Sequence, residues 1–410
     1  MKNIRILIII LFVLVNISKS KAQKQGQARL DSLLKELPKS KEDTNKVKLL
    51  TDISYNYNSI DPKKGILYGN QSEELSNKLN WKLGLAASYN SIGTNYHALS
   101  NYSKAIEYFK KSLEINSSLK DSNGIAVCYN NIGQLYSFTS NYPEALNYFT
   151  LALNINEHLN NKLGMALNYT NIGSVNYFQY NYRKAIEYNK KALAINEEIK
   201  NYIGMANNYG GLGVFYMQLS DYSNAKIFIS KAIDLNRKLN NLNGLAVNLG
   251  ALGNLESDMG NYDGSLKLHN QALEINRKVN NLSGIANNLG NMGDVYLILS
   301  QDSILNKKYE SREKRSITKE VNLNKSINSS IEAVKILKNI GERHNLFYAL
   351  KNLSVAYKLR GDYKDAYNAL EKSKSIQDSV FNIEKANEIS KLENARENLV
   401  KDRKIAILNE

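Results

Sequence analysis

The chain has 410 residues, a formal net charge of +15 and 43% hydrophobic residues, with only one cysteine and three prolines. The lone Cys128 excludes an intrachain disulfide framework, and the shortage of proline lets long helices run unbroken. The basic excess favours acidic partners in general terms, but Lys and Arg are scattered rather than gathered in a stripe, so nucleic acid is not an expected partner.

Residues 1–22 read as a secretory signal. Lys2 and Arg5 precede the apolar run Ile6–Val15, and Ser20-Lys21-Ala22 supplies a small-x-small cleavage pattern. That run is too short to span a bilayer, which needs about 20 residues. The mature chain is therefore expected to begin after Ala22 and to be exported to the periplasm, meeting a membrane only indirectly if a span lies downstream. Residues 23–43 read as a leader helix or linker that Pro38 closes. Residues 44–80 form a degenerate two-helix unit, with Asp61-Pro62 as a capped helix start.

From Trp81 to Ser300 the sequence repeats every 40 residues without insertion or deletion. Gly84, Gly124, Gly164, Gly204, Gly244 and Gly284 share one column, and Gly93, Gly133, Gly173, Gly213, Gly253 and Gly293 share another. A period in the range of about 20–50 residues marks a stacked repeat protein. Each unit carries helical spacing twice. In the first unit one stripe is Leu85, Tyr89, Ile92 and Tyr96, and the other is Ala105, Phe109, Ser112, Leu113 and Leu119. Asn101, Asn141 and Asp221 stand where a cap for the second helix is needed. The pairs Asn160-Asn161, Asn240-Asn241 and Asn280-Asn281 fit a left-handed closing residue followed by a cap. The expected fold is an all-α solenoid of stacked antiparallel helix pairs.

After Ser300 the frame slips. Residues 301–323 read as a charged insertion forming a surface loop, after which Ala333 and Ile336 stand 61 residues beyond Ala272 and Ile275 instead of 40. Residues 324–378 complete the C-terminal units. Residues 379–410 read as an extended charged helix, with Ile389, Leu392 and Leu399 at coiled-coil-like spacing, through which two copies could pair.

The columns Tyr89, Ile92, Gly93, Tyr96, Ala105, Phe109 and Ser112 resemble the tetratricopeptide repeat. So do Tyr129, Ile132, Gly133, Tyr136, Ala145, Phe149 and Ala152. The usual repeat is about 34 residues and ends on Pro. These units are 40 long and carry Ser117, Glu157, Glu197, Arg237 and Arg277 at that column, which resembles a long-helix subclass. The resemblance implies a right-handed superhelix whose concave face is lined by the first helix of each unit. The opening segments and the charged tail also resemble the exported repeat region of bacterial envelope sensors. In those proteins a similar helix leads into a span and a histidine kinase, cyclase or DNA-binding output domain. On that likeness the chain either works alone or is the front of a longer receptor.

Counting outward from the apolar stripe, the candidate groove residues are Asn90, Thr94, Asn130, Asn131, Gln134, Asn171, Ser174, Tyr177, Asn254 and Asp294. Asn offers both donor and acceptor, which suits an extended peptide backbone, so a peptide or protein segment is the expected partner. The Lys residues with which chaperone-binding relatives clamp a C-terminal carboxylate have no counterpart, since Asn90, Asn130 and Thr170 fill that column. His97, His158, His269 and His344 are far apart, and no phosphate loop or nucleophile–base pair is present. Neither enzyme activity, a metal nor a cofactor is expected. The Gly210-Gly211-x-Gly213 cluster falls mid-helix and reads either as close helix packing or as an opening for a partner's backbone.

Overall fold

The computed structural model describes residues 21–301 and 312–377, and among them the regular elements are all helical. The helices are α1 (Lys21–Glu36), α2 (Thr44–Tyr57), α3 (Pro62–Lys78), α4 (Lys82–Ala98), α5 (Tyr102–Ser118), α6 (Ser122–Phe138), α7 (Tyr142–His158) and α8 (Lys162–Phe178). They continue with α9 (Tyr182–Glu198), α10 (Tyr202–Gln218), α11 (Tyr222–Lys238), α12 (Leu242–Asp258), α13 (Tyr262–Lys278), α14 (Leu282–Gln301), α15 (Arg312–Ile340) and α16 (Arg343–Arg360). A last helix covers residues 363–377. The chain forms two compact units, one running to Ile285 apart from residues 139–141 and the other from Ala286 onward. Within the first unit each helix packs on the next, as an all-α solenoid of helix pairs requires.

The 40-residue period resolves into two half-periods of 20. From α4 to α13 each helix is 17 residues long and a three-residue link follows. Asn80, Ser100, Lys120, Ser140, Asn160, Tyr180, Lys200, Ser220, Asn240, Gly260 and Asn280 all take positive φ. This left-handed residue turns the chain and lets the amide after it reach back: Asn161 N donates to Asn156 O at 2.8 Å. The Asn pairs behave as expected. Asn160, Asn240 and Asn280 close a helix, while Asn161, Asn241 and Asn281 cap the next by accepting from the Gly164, Gly244 and Gly284 amides at 3.1–3.2 Å. Asn101 and Asp221 cap α5 and α11 in the same way.

The glycine columns seat large side chains. A Cβ on Gly93 would lie 2.7 Å from the Phe109 ring, and one on Gly133 would lie 2.9 Å from Phe149. Phe109 and Phe149 are both buried, in clusters with Ile132 and Leu135 and with Ile172 and Val175 respectively. The close approach of the two helices of a pair thus depends on a missing side chain. In the second unit Leu297, Leu323, Ile327, Leu353, Ala356 and Ala369 form a separate core.

Three sequence expectations change. Leu119, placed on the apolar stripe of α5, is exposed beside the closing Lys120. Helix α15 begins at Arg312, inside the stretch read as a loop to residue 323, and Leu323 is buried. Charge and the frame slip suggested an excursion, yet Arg, Glu and Lys without Gly or Pro favour helix. Helix α1 starts at Lys21, two residues before the expected leader. The rest of the signal-like segment, residues 302–311 and the tail 379–410 lie outside the described residues.

Candidate functional site

The inner face of the first unit is built from the first helix of each pair: α4, α6, α8, α10 and α12. Asn side chains tie these helices together. Asn131 Nδ2 donates to Asn90 Oδ1 at 2.8 Å, and Asn171 Nδ2 to Asn130 Oδ1 at 2.9 Å, each joining one inner helix to the next. A deeper layer links inner and outer helices. Asn156 Nδ2 donates to Asn168 Oδ1 and Asn196 Nδ2 to Asn208 Oδ1, both at 2.7 Å. Asn208 Nδ2 in turn donates to Asn189 Oδ1 at 2.8 Å and to Thr170 Oγ1 at 3.0 Å. The first glycine column makes room for this layer: a Cβ on Gly164, Gly204 or Gly244 would fall within 2.5 Å of the buried Asn156, Asn196 or Asn236 side chain. Gly210 and Gly211 likewise admit Asn248 and Asn189, so this part of the glycine cluster is a seat for amides.

These bonds sort the candidate residues. Asn90, Thr94, Asn131, Gln134, Asn171, Ser174 and Asp294 are half-buried. Three others are buried. Tyr177 is 0% exposed and packs on Phe215 with ring centroids 4.9 Å apart, burial pushing its hydroxyl pKa well up. Asn254 is buried, as is Val214 in the same column of the preceding repeat, whereas Thr94 and Gln134 in that column are half-buried. Asn130 is buried because its Oδ1 accepts from both Asn168 and Asn171. In the second unit Asp294 accepts a hydrogen bond from Asn352.

Asn90, Thr94, Asn130, Asn131 and Gln134 come together in one groove of about 400 Å³, which Asn171, Ser174, Tyr177 and Asn254 do not line. The groove also holds three side chains that the outward count passed over: Tyr55, Val127 and Leu167, which are 55%, 48% and 47% exposed. Apolar residues in a helical stripe read as core. The one sequence signal against that reading is their column, which runs Ala87, Val127, Leu167, Asn207, Val247 and Asn287 and keeps no fixed character. Uncharged amides beside exposed aliphatic groups can hold a peptide backbone and cover one of its apolar side chains.

Cys128 is buried, its Sγ donating to Ser112 Oγ at 3.3 Å, and burial pushes the thiol pKa up, away from the reactive thiolate. Among the described residues no three His, Cys, Asp or Glu side chains are grouped to hold a metal ion. No described helix is long and apolar enough to cross a membrane.

Helices closed every 20 residues, with glycine seats between the members of each pair, define an all-α helical-repeat protein. The model of the tetratricopeptide repeat family matches two stretches of it, residues 84–158 and 204–278. No curated protein matches the chain. Solved structures share the fold at low identity. A Rap protein complexed with competence and sporulation factor superposes with a TM-score of 0.57 at 14% identity, covering 90% of this chain and 99% of that one. The Rap conjugation gene regulator of plasmid pLS20, in complex with the Phr* peptide, gives 0.55 at 14% identity over 86% and 95%. A signal transduction ATPase with numerous domains from Pyrococcus horikoshii, which has a tetratricopeptide repeat sensor, gives 0.53 at 13% identity over 88% of this chain and 54% of that one.

Proposed function

We propose that the chain is a non-catalytic interaction scaffold that holds an extended peptide or protein segment in the groove between α4, α6 and α8. The observation that carries this reading is the 400 Å³ groove, where Asn90, Asn131 and Gln134 stand beside the exposed Val127 and Leu167. The Rap structures, which share the fold and of which one is in complex with the Phr* peptide, support it. Affinity selection of a random peptide library on the purified full chain tests it. The expected result is a family of related sequences that compete with one another; recovery of unrelated sequences at background level contradicts it.

The signal-like segment Met1–Ala22 supports a location outside the cytoplasm, which N-terminal sequencing of the mature chain checks: the reading requires a start at Gln23. A second reading, the sensory region of a signalling receptor, is supported by the repeat sensor of the Pyrococcus ATPase. Under it, the coding sequence after Glu410 continues into a span and an output domain; an unrelated gene there removes it.

A further inference from the structure

The inner and outer helices of the first unit differ sharply in charge. Helices α6 and α10 contain no Asp, Glu, Lys or Arg, and α4 and α8 contain only Lys82 and Lys162, each at the first position of its helix. Lys162 is engaged by Glu198 at 2.7 Å. The outer helices carry the charge of the same stretch: α9 alone holds Arg183, Lys184, Glu187, Lys190, Lys191, Glu197 and Glu198. Charge returns at the ends of the stretch, with Lys46, Lys48 and Asp52 on α2 and Glu256 and Asp258 on α12, and part of it is paired. Asp52 of α2 lies 3.9 Å from Arg29, and Glu256 of α12 accepts from Lys226 at 2.9 Å.

Apart from His97, the groove is lined by amide, hydroxyl, indifferent backbone and apolar groups, with no carboxylate, ammonium or guanidinium. A charged side chain entering it would lose hydration and meet no counter-charge, a loss that the hydrogen bonds of neutral amides do not repay. A neutral segment has no such cost. Its backbone N–H and C=O groups meet the amides of Asn90, Asn131 and Gln134, and an aliphatic side chain covers Val127 and Leu167.

Resting on the peptide-binding reading above, we propose that the occupant of this groove is an uncharged extended peptide segment carrying an aliphatic side chain, selected by exclusion of charge. Specificity of this kind comes from what the site cannot pair rather than from what it attracts. It also sets the salt response, because screening acts only on charge–charge attraction.

Three synthetic libraries of equal length test this on the full chain: one neutral, one enriched in Asp and Glu, one enriched in Lys and Arg. Enrichment is expected from the neutral library, with Kd changing by less than about twofold between about 0.05 M and about 0.5 M salt. The variant Gln134→Lys keeps the fold and is expected to bring acidic peptides up by about tenfold, since it supplies the missing counter-charge. If the wild-type chain instead enriches charged peptides in a way that Val127→Glu abolishes and salt weakens, the groove reading stands and charge exclusion falls. Enrichment from none of the libraries removes both.

Discussion

Replacing Asn208 by Ala is expected to lower the stability of the first unit by about 3–5 kcal/mol, one of the largest single effects available in this chain. Asn208 is 0% exposed and uses its amide fully, accepting from Asn196 at 2.7 Å and donating to Asn189 and Thr170 at 2.8 and 3.0 Å. Truncation leaves the Asn196 and Asn189 amides, both buried, without this partner. An unsatisfied buried group costs about 1–3 kcal/mol, and networks lose more than their separate bonds. Neighbouring repeats unfold in coupled steps, so the check is the urea midpoint of the full chain together with local hydrogen exchange in α8–α10. A loss below about 1 kcal/mol would mean that the amide layer does not hold the array together.

Substituting Gly213 by Ala is expected to destabilise by about 2 kcal/mol, while Gly290→Ala stabilises by about 0.5–1 kcal/mol. Both glycines sit inside helices, where Ala is favoured by up to about 1 kcal/mol. At Gly213 the new Cβ would lie 2.4 Å from Ile229 Cγ1, 3.1 Å from the Ile229 amide and 3.2 Å from the Ala225 carbonyl, in a buried site. Backbone atoms cannot step aside as the end of a long side chain can, so overpacking outweighs the helix gain. At Gly290 nothing lies within 4 Å. Thermal midpoints of the two variants should move in opposite directions, and a common direction would show that helix propensity rather than helix approach governs these positions.

Much of the architecture was legible because one chain states its rule repeatedly. The glycine columns, the Asn pairs at helix junctions and the double helical stripe gave the element order and the caps. The roles of the polar columns were less legible. Helical counting sends a polar residue outward, but it cannot see that Gly164 and Gly204 open space for Asn156 and Asn196 inside. Asn254, counted as groove-facing, is buried, and Asn130 is buried while it still lines the groove. Tyr177 counts as outward from the apolar stripe, yet its ring closes on Phe215. Conversely Val127 and Leu167, which lie outside the apolar stripe and were not among the candidates, stand in the groove. Their position depends on the stagger between successive inner helices, which no single repeat encodes. The corrected sorting also changes which variants are informative. Removing Asn130, Asn131 and Asn171 together would break cross-repeat bonds as well as alter the groove.

The double substitution Val127→Glu, Leu167→Glu avoids that confusion, because both side chains are about half exposed and neither supports a hydrogen bond of the amide layer. Its affinity for a library-selected peptide, measured by calorimetry beside a control pair of charge changes on the outer helix α5 at Lys104 and Lys110, tests the central claim most directly. The expected result is a loss of at least about 100-fold, corresponding to about 2.7 kcal/mol, with an unchanged urea midpoint and no loss in the control. Full affinity in the groove variant, or an equal loss in the control, would contradict the assignment of binding to the inner face.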